Sequence, residues 1–392
     1  MKKLFFVYHN LPSKFQGGSE LVAYNLIEGL AKKFEVTIVC FNSSKYSIKV
    51  YEDLKKIGIK IIIKKDCNNL HVKDSFIPKF YLNKNEINKN QLFIKKLNIE
   101  KKDRLISMGN IAIASAEKIL CKKIAIVEDP QSQVKIQRER LSINYFNFYK
   151  KIPKLIYLNI FYKNFWNFLG TILKSYSKIF CLSKGEALLY KKKINRKVYF
   201  LRCPIKLQKI NKFSNNKFTI AMISYSITQD FNGIRILNKF LLPELKRNNL
   251  LKKTNIYLVM NIFHNNLPND INKIIDNKNI QIKNFDQKGL IDKIDLLYYP
   301  SKFKVGVRSK ILFCMSKKIL IATNNISKYG IPELKNEFNC LSSDDNHELA
   351  QKIINIIDKK KKITSLKTNA YNLIKKNYIP RKAIYMIYNS VK

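Results

Sequence analysis

Carboxylates are scarce in this 392-residue chain, with 28 Asp and Glu against 74 Lys and Arg, a formal net charge of +46. Arginine is scarce among the cations too. Only nine are present, at 104, 138, 140, 196, 202, 235, 247, 308 and 381, leaving 65 Lys. Arginine is the usual residue for bidentate readout of phosphates and guanines, so its shortage argues against a dedicated nucleic-acid binder. The lysine excess runs with abundant Ile and Asn, a pattern that biased base composition in the coding DNA produces without any selected partner. Net charge of this kind speaks to solubility and nonspecific association rather than fold. The seven Cys, at 40, 67, 121, 181, 203, 314 and 340, include no pair closer than 22 residues. That excludes a CxxC metal or redox motif, argues against a disulfide framework and fits a reducing cytosol. No run of 18 apolar residues occurs, and the opening run at 4–7 stops at Tyr8-His9-Asn10, which predicts neither a membrane-spanning helix nor a signal peptide. Neither GxGxxG nor a P-loop is present, removing the main support for oxidoreductase and NTPase readings. There is no fixed-period repeat, and lysine runs such as 359–362 read as solvated helix faces.

What is present belongs to a folded protein. The hydrophobic fraction is 46% and the aromatic fraction 12%, far above a disordered basic tail, and the length predicts two or three domains. Residues 4–8 read as a buried strand, 12–18 as a loop ending in two glycines, 19–30 as a helix and 35–41 as a second strand. Strand, glycine loop, helix, strand is a βαβ unit and implies a parallel sheet. Further strands are predicted at 59–63, 104–107, 123–127 and 178–182. A second series follows the polar stretch 206–217, with strands at 218–223, 255–260, 280–283, 296–299 and 319–323 and a helix over 233–247. The pattern predicts an α/β protein of two Rossmann-like domains facing across a cleft. The boundaries are 1–205, 206–375 and a terminal helix within 376–392.

In open parallel sheets, ligands gather at the carboxyl ends of the strands, near helix amino termini. In the first domain that place is the loop 11–20. Gly17 and Gly18 let the backbone approach an anionic or sugar ligand closely, and Ser19 is expected to cap the next helix. A paired glycine also serves as a plain turn. In the second domain 299–323 reads YPSKFKVGVRSKILFCMSKKILIAT. Gly306 breaks the chain and a helix begins near Ser309, so Arg308 and Lys310 lie at a helix amino terminus, where cations are unfavourable unless an anion joins them. With free backbone amides beside them they make a diphosphate cradle, Arg308 binding bidentately and Lys310 as a point charge. Two surface cations in a lysine-rich protein are the alternative.

Five segments in series resemble the retaining glycosyltransferases of the GT-B fold often called family 4. They are LPSKFQGGSELVAYNLIEGLAKKFEVTIVCF (11–41), KIFCLSKGEALLY (178–190), NGIRILNKFLLPELK (232–246), GVRSKILFCMSKKILIATNNISKYGIPEL (306–334) and CLSSDDNHELAQKIINII (340–357). The resemblance covers nearly the whole chain, although each piece is degenerate. It implies an acceptor-binding first domain, a second domain that binds a nucleotide-sugar donor, and a terminal helix that crosses back to the first. It implies no protein nucleophile, no metal and no cofactor. Departure of a nucleoside diphosphate needs positive charge, which gives Arg308 and Lys310 electrophilic, catalytic roles. The donor-binding set it implies is Gly17, Gly18, Ser224, Gly306, Ser309, Phe313 and Glu333, and the acceptor-binding set is His9, Glu128 and Asp129.

Several positions depart from that pattern. The family's two glutamates, eight residues apart, fall at Val305 and Phe313, so the nucleotide is held differently, by stacking, or is held weakly. SYSITQDFN at 224–232 stands where the family carries an Arg and a Lys, and Glu128-Asp129-Pro130 stands where a histidine often follows a strand. Glu128 and Asp129 either orient an acceptor hydroxyl or cap a loop. Glu333 either touches the sugar or belongs to a surface loop, and Asp344 and Asp345 suit helix capping. Of the four His (9, 71, 264 and 347), His9 alone sits at a strand end facing the expected cleft. Finally, 135–178 interleaves cations with Tyr145, Phe146, Phe148, Tyr149, Tyr157, Phe161, Tyr162, Phe165, Trp166 and Phe168. That suits either a helix pair packed on the first sheet or a basic helix in an anionic bilayer interface.

The sequence therefore points to a cytoplasmic transferase, peripheral at the inner membrane face, that passes a sugar from a nucleotide-sugar to a surface-polysaccharide or glycolipid acceptor, with no specific nucleic-acid partner. Two rivals stay open. One is a non-catalytic relative that binds a nucleotide or a partner, and the other is a basic membrane-surface protein.

Overall fold

In this computed structural model the described residues are 2–14, 18–41, 48–64, 84–128, 148–210, 216–224, 227–260, 268–284, 287, 289–358 and 361–392. They form two compact units, Met1–Pro204 with Pro380–Lys392, and Ile205–Ile379.

The first unit is built on a seven-stranded sheet: β1 (Lys3–Tyr8), β2 (Glu35–Cys40), β3 (Lys60–Ile63), β4 (Arg104–Met108), β5 (Lys122–Val127), β6 (Lys178–Cys181) and β7 (Val198–Phe200). Its order is β3-β2-β1-β4-β5-β6-β7, and every neighbouring pair is parallel. A parallel sheet is covered by helices on both faces, so its strands read as continuous apolar runs rather than alternating ones. In β1, β2 and β5 only the first residue of each strand is exposed.

The second unit carries β8 (Phe218–Ser224), β9 (Thr254–Met260), β10 (Ile280–Lys283), β11 (Leu296–Tyr299), β12 (Leu320–Thr323) and β13 (Leu341–Ser342), in the order β10-β9-β8-β11-β12-β13, again all parallel. Both orders reverse once, between β1 and β4 and between β8 and β11. In doubly wound folds that reversal opens the crevice where ligands bind.

Two strands escaped the sequence, β7 and β13. At three and two residues they are too short to show a period. The helix expected over 233–247 instead starts at Ile227 and widens into a π turn at Leu237–Leu241 before Leu242–Arg247. Pro243 explains the widening, since it has no N–H to donate to the preceding turn. The stretch 135–178 contributes one helix, Phe148–Leu173, of 26 residues, and its earlier part lies outside the described residues.

The terminal helix Pro380–Val391 packs on the helix Ser19–Leu30 of the first unit. Contact is close at Gly29, where a Cβ would sit 1.9 Å from Ile384 Cδ1. Arg104 Nε donates to the Val391 carbonyl and Lys122 Nζ to the Lys392 carbonyl at 3.1 Å, cations meeting the negative end of a helix dipole.

Burial pushes the thiols of Cys203 and Cys314 up to about 12 from an ordinary value of 9.0. A pKa raised by folding stabilises the folded state below the unfolded value and loses that contribution as pH climbs toward the folded one. Stability of the native chain is therefore expected to fall more steeply between pH 9 and 11 than that of a Cys203→Ala/Cys314→Ala variant. Urea unfolding across that range checks it, and parallel curves would contradict it.

Candidate functional site

The carboxyl ends of β8 and β11 flank the reversal point of the second unit, and two cations meet there. After β11 the chain runs through Pro300 to Gly306, which has a φ of 68° that favours glycine, and enters the helix Ser309–Ser316 at Arg308. Lys310 Nζ donates to the Ile223 carbonyl of β8 at 2.9 Å and lies 5.6 Å from the Tyr299 ring centroid. Arg308 Nη2 donates to Ser301 Oγ at 2.9 Å and to the Phe303 carbonyl. Those acceptors occupy one edge of the guanidinium, and its Nε and Nη1 meet no acceptor among the described residues. Both side chains are half-buried, and the first turn of their helix holds no carboxylate. Two cations at the positive end of a helix dipole, with no side-chain anion in that turn, favour an anion.

Hydrogen bonds fix the loops beneath them. Asn324, just past β12, accepts from the Ser301 amide at 3.3 Å and donates to the Ser301 carbonyl at 2.5 Å, holding the loop that aims Arg308. Thr323 Oγ1 donates to the Tyr299 carbonyl at 2.7 Å. Gly330 lies so close to the Gly306 turn that a Cβ on it would fall 2.3 Å from the Gly306 carbonyl oxygen and 2.8 Å from Val307 Cα.

The structure thus brings Gly306, Arg308, Ser309 and Lys310 together with Ser224, the last residue of β8. Phe313 follows one turn along the same helix, half-buried. One expectation is corrected here. The amides of Ser309 and Ile311 are not free, because they donate to the carbonyls of Val307 at 3.0 Å and Arg308 at 2.9 Å. Any anion is therefore met by side chains more than by those amides. Glu333 is held in its loop: Tyr378 donates to its carboxylate at 2.5 Å, and Asn339 donates to its carbonyl at 3.0 Å. Val305 is buried, a place where a carboxylate would be desolvated. Asp345 caps the helix Asn346–Asp358, accepting from the His347 amide at 2.8 Å, while Asp344 ties down Asn325.

A second cluster lies at the reversal point of the first unit, past the ends of β1, β4 and β5. A Cβ on Gly109, whose φ is 85°, would lie 3.1 Å from Glu128 Oε2 and 3.5 Å from His9 Nδ1, so His9 and Glu128 flank one point. The His9 ring packs against Tyr8, 4.4 Å between centroids, and Tyr190 donates to the Glu128 carbonyl at 3.1 Å. Burial, reinforced by the carboxylates of Glu128 and Glu20, pushes the Tyr8 phenol well above its usual range. It stays a donor, to Ser19 Oγ at 2.9 Å. Ser19 does not cap its helix. Gly18 holds the cap position at φ 67°, without a side-chain bond, and the Ser19 hydroxyl turns to Tyr8 and Glu20 instead. Gly17 and Asp129 lie outside the described residues.

Sequence reading missed Ser301, Asn324, Gly330, Tyr8 and Gly109. The signal for Asn324 was a polar residue directly after a predicted strand, and for Gly109 a glycine two positions past one. Nothing local marks Ser301 as the partner of Arg308.

No family model matches the chain, and no curated protein matches it. Among solved structures it resembles HepE from Anabaena, solved with UDP and glucose, at 12% identity and a TM-score of 0.68, covering 100% of this chain and 99% of that one. It resembles TarM at 11% identity and a TM-score of 0.73, with the same coverage, and S. aureus TarM solved with UDP and alpha-GlcNAc-glycerol at 11% and 0.70, covering both chains fully. A glycosyltransferase from Rickettsia africae matches at 15% identity and a TM-score of 0.64, over 99% of this chain and 97% of that one. At such identities the likeness is one of fold. The chain has the two-domain, Rossmann-like GT-B fold of glycosyltransferases.

Gly330 and Gly233 separate two kinds of crowding near this site. A Cβ at 233 would meet the flexible tip of Met222, at 2.6 Å, whereas at 330 it meets backbone. Gly330→Ala is therefore expected to cost about 1–3 kcal/mol and Gly233→Ala clearly less, read by urea unfolding. Equal losses would show that the 306–308 turn yields freely.

Proposed function

We propose that this chain is a retaining glycosyltransferase of the family 4 type, moving a hexose or related sugar from a nucleotide-sugar donor to a surface-polysaccharide or glycolipid acceptor at the cytoplasmic side. The observation that carries the proposal is the convergence of Arg308 and Lys310 at the β8/β11 reversal point, beside a helix turn without carboxylates.

The chemistry asks for those groups. In transfer, the bond between the anomeric carbon and the diphosphate oxygen breaks, a bond from that carbon to the acceptor hydroxyl oxygen forms, and the hydroxyl proton leaves with the departing diphosphate. Negative charge grows on the diphosphate as the bond breaks. Fixed cations near it stabilise the transition state more than the ground state. Arg308 offers a planar fork and Lys310 a compact point charge. This reading needs no metal or cofactor. The solved complexes of HepE and TarM contain UDP, and one of HepE contains UDP-glucose, which makes uridine donors the first to try. In the first unit we assign the acceptor to His9 and Glu128 around Gly109, where a hydroxyl would find both an imidazole and a carboxylate.

A non-catalytic relative that binds a nucleotide is the second reading. The buried Val305 and the apolar Phe313 favour it, because neither can bond a ribose.

Millimolar UDP, GDP, ADP and their sugar conjugates separate the two. A ligand at a hundredfold excess over its Kd stabilises the folded chain by about 2.7 kcal/mol, a readable rise in Tm. At least one member is expected to raise Tm, and Arg308→Gln with Lys310→Met is expected to abolish the rise. No shift from any member sinks donor binding. A shift without release of nucleotide from any sugar conjugate selects the non-catalytic reading.

A further inference from the structure

The helix Phe148–Leu173 divides into two halves with opposite surroundings. From Phe161 onward it is anchored: Phe161, Phe165, Trp166, Leu169, Ile172 and Leu173 are buried. Its last turn is held by Arg196, whose Nη2 donates to the Tyr176 carbonyl at 3.0 Å and whose Nη1 donates to the Leu173 carbonyl. Before Phe161 the same helix buries Leu158 on one side and turns four other aliphatic side chains to solvent. Ile152 is 47% exposed, Leu155 39%, Ile156 55% and Ile160 53%. Spacings of three and four residues place them on one stripe. Twelve large hydrophobics are exposed among the described residues, and four of them fall in these nine positions. Scattered exposed aliphatics need no explanation, but a contiguous stripe marks an interaction surface.

The charge around the stripe identifies what it meets. Between Glu139 and Glu186 the sequence has no Asp or Glu, and Lys150, Lys151, Lys154 and Lys163 fall within or beside the stripe, with Lys174, Lys178 and Lys184 beyond the far end of the helix. Lys163, exposed, follows Ile160 by less than one turn. We propose that residues 152–163 dock the chain on an anionic lipid bilayer, the helix lying along the surface. Ile152, Leu155, Ile156 and Ile160 enter the boundary between headgroups and acyl chains, and the lysines meet lipid phosphates. A helix with an apolar stripe, a basic flank and no acid has the chemistry of an interfacial helix. Lysine in general can bury its stem along apolar surface while its ammonium reaches a polar layer. No helix among the described residues is long and apolar enough to cross a membrane, in keeping with lying on it. A second copy of the chain would set the same cations against themselves, and a nucleic acid would leave the aliphatic stripe in water. The proposal stands apart from the transfer chemistry, because it concerns only where the chain sits.

The test is co-sedimentation of the full chain with vesicles of phosphatidylcholine alone and of phosphatidylcholine with 30% phosphatidylglycerol. Binding is expected only to the anionic vesicles, and it should weaken as salt rises to about 0.5 M. Ile156→Asp with Ile160→Asp is expected to weaken it roughly tenfold or more. Both residues are more than half exposed, so the fold should tolerate the change. Ile48→Asp with Leu120→Asp makes the same charge change at exposed aliphatics elsewhere, 79% and 76% exposed, and is expected to leave binding within about twofold. Absence of binding to anionic vesicles overturns the proposal. So does an equal loss from both double variants, which would reduce the attraction to net charge. Concentration-dependent dimerisation abolished by the 156/160 pair, without vesicle binding, would assign the stripe to a second copy.

Discussion

The ammonium of Lys310, held on the carbonyl of Ile223 at 2.9 Å, is the contact on which the chemistry proposed for the second unit depends. It joins the first turn of one helix to the end of β8, at the point where strand order reverses. A cation there opposes the helix dipole, and so does Arg308 beside it. Carbonyl and hydroxyl acceptors from Ile223, Ser301 and Phe303 offset part of that cost. No carboxylate stands in the first turn of that helix, and two cations there suit an anion. The loops hold that arrangement: the Asn324 amide clamps Ser301 at both its amide and its carbonyl, and Gly330 lets a second loop press on the Gly306 turn.

The two units share a topology and differ in what they gather at the reversal point. The second gathers cations, the chemistry of a leaving diphosphate. The first gathers a histidine and a glutamate around Gly109, a pair that can exchange hydrogen bonds with hydroxyls but carries no concentrated positive charge. That difference is what the proposed pairing of a nucleotide-sugar donor with an alcohol acceptor asks for.

The strands were legible in sequence because parallel strands buried on both faces announce themselves as apolar runs, as FFVY and LLYY do. β13, two residues long, carries no such signal. The Gly306 break and the start of the helix at Ser309 could be read locally, and with them the pairing of Arg308 and Lys310. The rest was not local. Lys310 and Ile223 are 87 positions apart, and Glu333 and Tyr378 are 45 apart, so no period or motif links either pair. Ser19 misled for a related reason. Its sequence position suits a cap, but a tyrosine from β1 competes for the hydroxyl. The +46 charge, the loudest feature of the composition, narrows to two regions with a proposed role: the Arg308 and Lys310 pair, and the acid-free stretch around residues 140–184.

A crystal structure of the chain with a bound nucleoside diphosphate tests the central claim most directly. The account expects diphosphate oxygens about 3 Å from the Arg308 guanidinium and the Lys310 ammonium. A diphosphate seated elsewhere, with Arg308 still engaged only by Ser301 and Phe303, would contradict it.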